Sequence, residues 1–85
     1  MADAWVYLLR CADGSLYAGW TNDLDKRLAA HAAGTASRYT RSRLPVALAL
    51  AVPQADRSAA MREEARVKRL TRPEKLALID ASPPD

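Results

Sequence analysis

Phenylalanine is absent from this 85-residue chain, and its only aromatic rings besides a single histidine are Trp5, Trp20, Tyr7, Tyr17 and Tyr39. A core must therefore be assembled largely from Leu, Val and Ala, and a chain of this length has room for one such core. The single cysteine, Cys11, excludes an intrachain disulfide and argues against a cysteine-based zinc site; in its apolar run it reads as a packing residue. No apolar stretch approaches the ~20 residues of a membrane helix: "VALALAV" (46–52) is bounded by Pro45 and Pro53. "MADAWVYLL" lacks the basic start of a secretory signal, so no membrane association and a cytoplasmic location are expected.

Acidic residues are missing from one long interval. None occurs between Asp25 and Asp56, while that interval carries Lys26, Arg27, Arg38, Arg41 and Arg43. A one-sign stretch suits a polyanion, most simply DNA, with RNA not excluded. Tyr39 lies among Arg38, Arg41 and Arg43, which offers a stackable ring between phosphate-binding guanidinium groups. The plain alternative is a solvated basic loop without a partner.

What is present reads as a small α+β domain. Residues 4–11 and 16–20 have strand character around "ADGS", and Asp-Gly is a strong hairpin signal. Val6 and Leu8 mark one face of the first strand and Tyr7, Leu9 and Cys11 the other, so this strand should be central and covered on both sides. "TNDLDKRLAAHAAG" predicts a helix capped by Asn22 or Thr21, with Asp23 and Asp25 at the positive end of its dipole and Gly34 ending it. Residues 34–45 read as a loop, and 46–52 as a short buried strand in preference to a helix. A second helix is expected over about 57–70. Thr71, Pro73 and Glu74 form a capping-box pattern that starts a third, running to about Ile79. The expectation is a three-stranded antiparallel sheet flanked by about three helices, one domain over 1–85 with its core at about 4–79 and a loose tail at 80–85.

The hairpin loop controls where the tyrosines point. A two-residue Asp13-Gly14 loop pairs Tyr7 with Trp20 and Tyr17 with Arg10, placing the phenols on opposite faces. A loop of odd length, with Gly14 at positive φ, pairs Tyr17 with Leu9 and places both on one face.

Several charged residues occupy helix positions where apolar ones would be expected. Leu24, Arg27, Leu28 and His31 share one stripe at i, i+3, i+4 and i+7, which sets Arg27 and His31 at the margin of the core. Glu64 falls between Ala60, Met61 and Val67, on the inward side of its helix, whereas Glu63 lies about 100° away in a better place for a solvated carboxylate. A buried guanidinium needs an anionic partner; an internal Arg27–Glu64 ion pair would be purely structural. A phenol beside a guanidinium or a metal has its anion favoured. Two phenols, an Arg, a His and a Glu facing one cavity are the parts needed for phosphodiester hydrolysis.

In their order along the chain these residues resemble the GIY-YIG nucleases. "VYL" at 6–8 and "YAG" at 17–19 look like the two tripeptides that name the family. "TNDLDKRLAAH" is similar to its helix with a catalytic Arg and a His, and "SAAMREEARVKRL" to the helix with its metal-binding Glu. The likeness covers roughly 4–79 and is strongest to the small free-standing members, which also carry a segment like "SRYTRSRLPV". It implies Tyr17 as general base with Tyr7 assisting, Arg27 on the scissile phosphate, His31 in proton traffic, and Glu64 holding one Mg²⁺ or Mn²⁺. Gly19 would let the chain pass close to the substrate. The resemblance implies a metal-dependent endonuclease acting on DNA, weakly specific or structure-directed, with a protein partner as one source of aim. The leading Gly-Ile of the first tripeptide is replaced here, Ala18 stands for the branched residue of the second, and Asn22 is the chain's only Asn where many members place one late in the domain. A non-cleaving nucleic-acid-binding module and a protein-interaction subunit are the competing readings.

Overall fold

The computed structural model describes residues 2–81. β1 (Ala4–Arg10) is the centre of a sheet ordered β2-β1-β3, flanked by β2 (Leu16–Thr21) and β3 (Ala47–Gln54), both antiparallel to it. Its position follows from its composition. Ala4, Val6, Tyr7, Leu8 and Leu9 are all buried, so both faces of the strand are covered, as its two apolar faces require. One face carries the main core, where Ala4, Val6, Leu8 and Ala18 pack with Ala60 and Val67. Trp20, Leu50, Leu70, Leu78 and Ile79 close around them.

The hairpin between β1 and β2 has the odd loop. Cys11 C=O accepts from Gly14 N–H at 2.9 Å, and Cys11 N–H donates to Ser15 C=O at 2.9 Å, which leaves three residues between the paired ends. Gly14 stands at φ 84°, the left-handed conformation that glycine adopts without a Cβ penalty. The resulting register sets Leu9 opposite Tyr17 and Tyr7 opposite Gly19. On the other side of β1 the pairing slips between Leu8 and Leu9, which face Leu50 and Leu48; Ala49 is the extra residue of a bulge.

Four helices complete the fold among the described residues, one more than expected. α1 (Leu24–Ala32) is capped by Asp23, whose carboxylate accepts from Lys26 N–H at 3.1 Å, and not by Asn22 or Thr21. The Thr21 hydroxyl instead accepts from Asp23 N–H at 3.0 Å and orients the cap. Gly34, at φ 79°, ends the helix region as its sequence position suggests. The expected loop at 34–45 contains a single helical turn, α2 (Arg38–Arg41), started by the Ser37 hydroxyl accepting from Tyr39 N–H at 3.1 Å. The Leu44–Pro45 peptide that follows is cis. α3 (Arg57–Lys68), capped by Asp56, lies mainly across β2 and β1. α4 (Arg72–Ala81) begins with the expected reciprocal box: Thr71 N–H donates to Glu74 Oε1 at 2.9 Å, and Glu74 N–H to Thr71 Oγ1 at 3.3 Å. α4 runs to Ala81, two residues past the expected end; the rest of the expected tail, 82–85, lies outside the described residues. Among the described residues no helix is long and apolar enough to cross a membrane.

Candidate active site

The hairpin register puts Tyr7 and Tyr17 on the same face of the sheet, opposite the Val6–Leu8 core. Tyr7 is buried and its ring lies over Gly19. A Cβ built on Gly19 would sit 2.5 Å from Tyr7 Oη and 2.6 Å from Cζ, closer than real contacts allow. The space that Gly19 leaves is thus filled by a protein phenol, whereas the sequence suggested an approach of substrate.

His31 joins the two phenols. Only 1 % exposed, it projects from the end of α1 and meets the edges of both rings, 5.6 Å from Tyr7 and 5.4 Å from Tyr17 between centroids. Its Nε2 is 2.8 Å from Tyr7 Oη, and its Nδ1 is 2.9 Å from Thr40 Oγ1 on α2. Burial, helped by the positive Arg27, holds the imidazole pKa below its usual value and favours the neutral ring. Burial also raises the Tyr7 phenol pKa above its ordinary range, with Tyr17 adding to the rise and Arg27 opposing it. The expectation that a nearby guanidinium lowers a phenol's pKa is therefore reversed at Tyr7, because desolvation outweighs the charge.

The two phenols, but not His31 behind them, line a cleft of about 360 Å³. The sheet contributes Tyr7, Tyr17 and Gly19, α1 contributes Arg27, and α3 contributes Glu64. Arg27 is exposed and not at the margin of the core: on its stripe of α1 His31 is buried, Leu24 and Leu28 are half-buried, and Arg27 alone faces out. Glu64 is half-buried, while Ala60 and Val67 on the same helix are buried and Met61 is 53 % exposed, so Met61 does not belong to the inward face. No Arg27–Glu64 ion pair forms among the described residues. Glu64 instead has Lys68 Nζ at 3.7 Å on its own helix, and Glu63 pairs with Arg66. Arg27 and Glu64 are thus left available to something in the cleft.

Glu64 is the carboxylate of the cleft, and no cluster of three metal-ligating side chains occurs among the described residues. One half-buried carboxylate beside space for a phosphate suits a hard divalent cation that keeps most of its water, as Mg²⁺ does, better than a metal needing a full protein cage.

The basic segment is arranged differently from the expected open phosphate tract. Tyr39 stacks on Tyr17 with centroids 5.6 Å apart and planes 29° apart, and the Arg43 guanidinium lies over its ring at 3.8 Å. Arg43 is held in turn by Asp13 at 3.0 Å and by the Tyr39 carbonyl at 2.9 Å. Tyr39 and Arg43 therefore have protein partners, and Arg38 and Arg41 remain beside a separate depression of about 420 Å³.

Further residues of the site were not singled out from the sequence as functional. Asn22, expected only as a cap, lines the cleft with Thr21 and Trp20, and so does Arg57. Arg57 had a readable signal, since it precedes Glu64 by seven positions and shares its helix face. Thr40 had none: a threonine in a polar stretch gives no sign that it will be 0 % exposed.

A family model described as "GIY-YIG catalytic domain" matches residues 3–77. A UPF0213 protein of Xanthomonas axonopodis pv. citri is 50 % identical over 78 residues, covering 92 % of this chain and 76 % of that protein. A UPF0213 protein of Streptococcus sanguinis is 49 % identical over 76 residues, covering 89 % and 87 %. Among solved structures, the solution structure of a UPF0213 protein from Bacillus halodurans is 42 % identical, with a TM-score of 0.60 over 91 % of this chain and 82 % of that one. A solution structure from E. faecalis gives 34 % identity and a TM-score of 0.61 over 100 % and 97 %.

Proposed function

Because this chain belongs to the GIY-YIG family, we propose that it is a divalent-metal-dependent nuclease that hydrolyses phosphodiester bonds in DNA. The observation that carries this reading is the convergence of Tyr7, Tyr17, Arg27 and Glu64 on one open cleft, with neither Arg27 nor Glu64 used up by the other. Arg27 binds the scissile phosphate and offsets the charge that develops on it in the transition state. Tyr17, which lines the cleft, is the general base for the attacking water. Tyr7, kept neutral by burial, shares the cleft with that base and is hydrogen-bonded to His31. Glu64 would hold one Mg²⁺ or Mn²⁺, which when bound supplies positive charge to the phosphate and to the departing oxygen. Arg57 and Asn22 line the same cleft and bind the flanking phosphates. Specificity for a DNA structure or sequence would come from a protein partner.

A plasmid-nicking assay tests this. The wild-type protein nicks supercoiled DNA with Mg²⁺ or Mn²⁺ and stops with EDTA, while Glu64→Gln and Arg27→Ala each lose about 100-fold or more. Cleavage that persists in EDTA, or that both variants retain in full, overturns the assignment.

A further inference from the structure

The chain from the cleft into the protein does not end at His31. Beyond Nδ1 lies Thr40 Oγ1 at 2.9 Å, and beyond Thr40 lies the Ser37 carbonyl oxygen at 3.4 Å. His31 and Thr40 are 1 % and 0 % exposed, so water does not compete for these groups. This matters because a neutral imidazole has one N–H and one lone pair, and the placement of its proton decides which neighbour donates to which.

We propose that Thr40 is a positioning residue that fixes His31 in the Nδ1–H tautomer, so that Nε2 always presents its lone pair to Tyr7. The inference rests on the nuclease reading only for its catalytic consequence. A carbonyl cannot donate, so the far end of the chain sets its direction. The Thr40 hydroxyl gives its proton to the Ser37 carbonyl, its oxygen lone pair accepts Nδ1–H, and Nε2 is left to accept the Tyr7 hydroxyl proton at 2.8 Å. The Ser37 carbonyl has two lone pairs, and its second bond, from Arg41 N–H at 3.0 Å, closes α2. With its proton directed inward at His31, the Tyr7 oxygen turns its own lone pairs to the cleft. Tyr7 is then an acceptor toward water in the cleft. The opposite tautomer would make Tyr7 accept from His31 and leave its hydroxyl proton free to compete for the nucleophile. Burial and Arg27 keep the ring neutral, the state in which a tautomer is defined.

The chain has one histidine, so imidazole nitrogen signals in ¹⁵N-labelled protein belong to His31 without assignment. The wild type should show a protonated Nδ1 and an unprotonated Nε2. Thr40→Val, close in shape but unable to accept, should move the proton to Nε2 or average the two signals, and Thr40→Ser should restore the wild-type pattern. Cleavage should fall about 10-fold or more in Thr40→Val, as when a metal-bound histidine loses the partner of its second nitrogen, and recover in Thr40→Ser. An Nε2–H tautomer in the wild type, or an unchanged Nδ1–H signal in Thr40→Val, overturns the proposal. The wild-type spectrum alone decides the point if Thr40→Val does not fold. A wild type with the expected tautomer but no metal-dependent cleavage would instead overturn the nuclease reading and leave this inference standing.

Discussion

Gly19 shows most directly how a single atom decides the site. It stands opposite Tyr7 in the β1–β2 ladder, and its missing Cβ is what lets the phenol cross the strand to reach His31. Gly19→Ala should therefore displace the Tyr7 ring, break its bond to Nε2 and destabilise the fold by about 1–3 kcal/mol, the usual range for overpacking. Urea unfolding of a double-mutant cycle checks the cause. In a Tyr7→Ala background the Gly19→Ala cost should vanish, because the clash is with the ring that has been removed. A cost that stays the same in both backgrounds would trace the effect to the strand backbone and refute the ring contact. The need for a small residue here was legible in the sequence, but the neighbour that requires it was not. Pairing across a hairpin depends on loop parity, and "ADGS" admits both parities until Cys11 is seen bonded to Ser15 across a three-residue loop.

At the scale of elements, the strands and the longer helices were readable because each repeats its pattern over several turns or residues. β1 alternates two apolar faces, and α4 announces itself with Thr71 and Glu74. α2 was not readable, since four residues are too few to show a 3.6-residue period and its start depends on one Ser37 hydroxyl. That short turn nevertheless braces the site, sending Thr40 to His31 and Tyr39 to Tyr17. The sequence suggested that Tyr39 is a stacking platform for a base; its ring already contacts Tyr17 and Arg43 and stays 37 % exposed. Tyr39→Leu distinguishes the two roles. Loss of the ring pair and the guanidinium contact should lower stability by about 1–2 kcal/mol and reduce cleavage several-fold, with little change in affinity for single-stranded DNA measured by fluorescence anisotropy. A large loss of affinity with unchanged stability would return Tyr39 to the nucleic-acid surface.

Across the whole molecule, net charge of +3 understates how the charge is distributed. Asp13 takes up Arg43, Glu63 takes up Arg66, and Glu64 has Lys68 beside it. Arg38 and Arg41 make no such pair among the described residues and flank one depression, and Arg27 and Arg57 line the cleft. The acid-free interval could not show which of its cations stay unpaired, because Asp13 lies outside the interval and reaches it only through the fold. This division predicts a salt signature. Each phosphate contact contributes about −0.9 to the slope of log affinity against log salt on duplex DNA. Arg38→Ala and Arg41→Ala should each make that slope shallower by about this amount. Arg43→Ala should leave it nearly unchanged while lowering the melting temperature, since its charge already serves Asp13 and Tyr39. Anisotropy titrations of a duplex at several salt concentrations measure all three slopes. If Arg43→Ala flattens the slope as much as Arg41→Ala, the Asp13 pair must open when DNA arrives, and the loop would then bind the phosphate backbone directly.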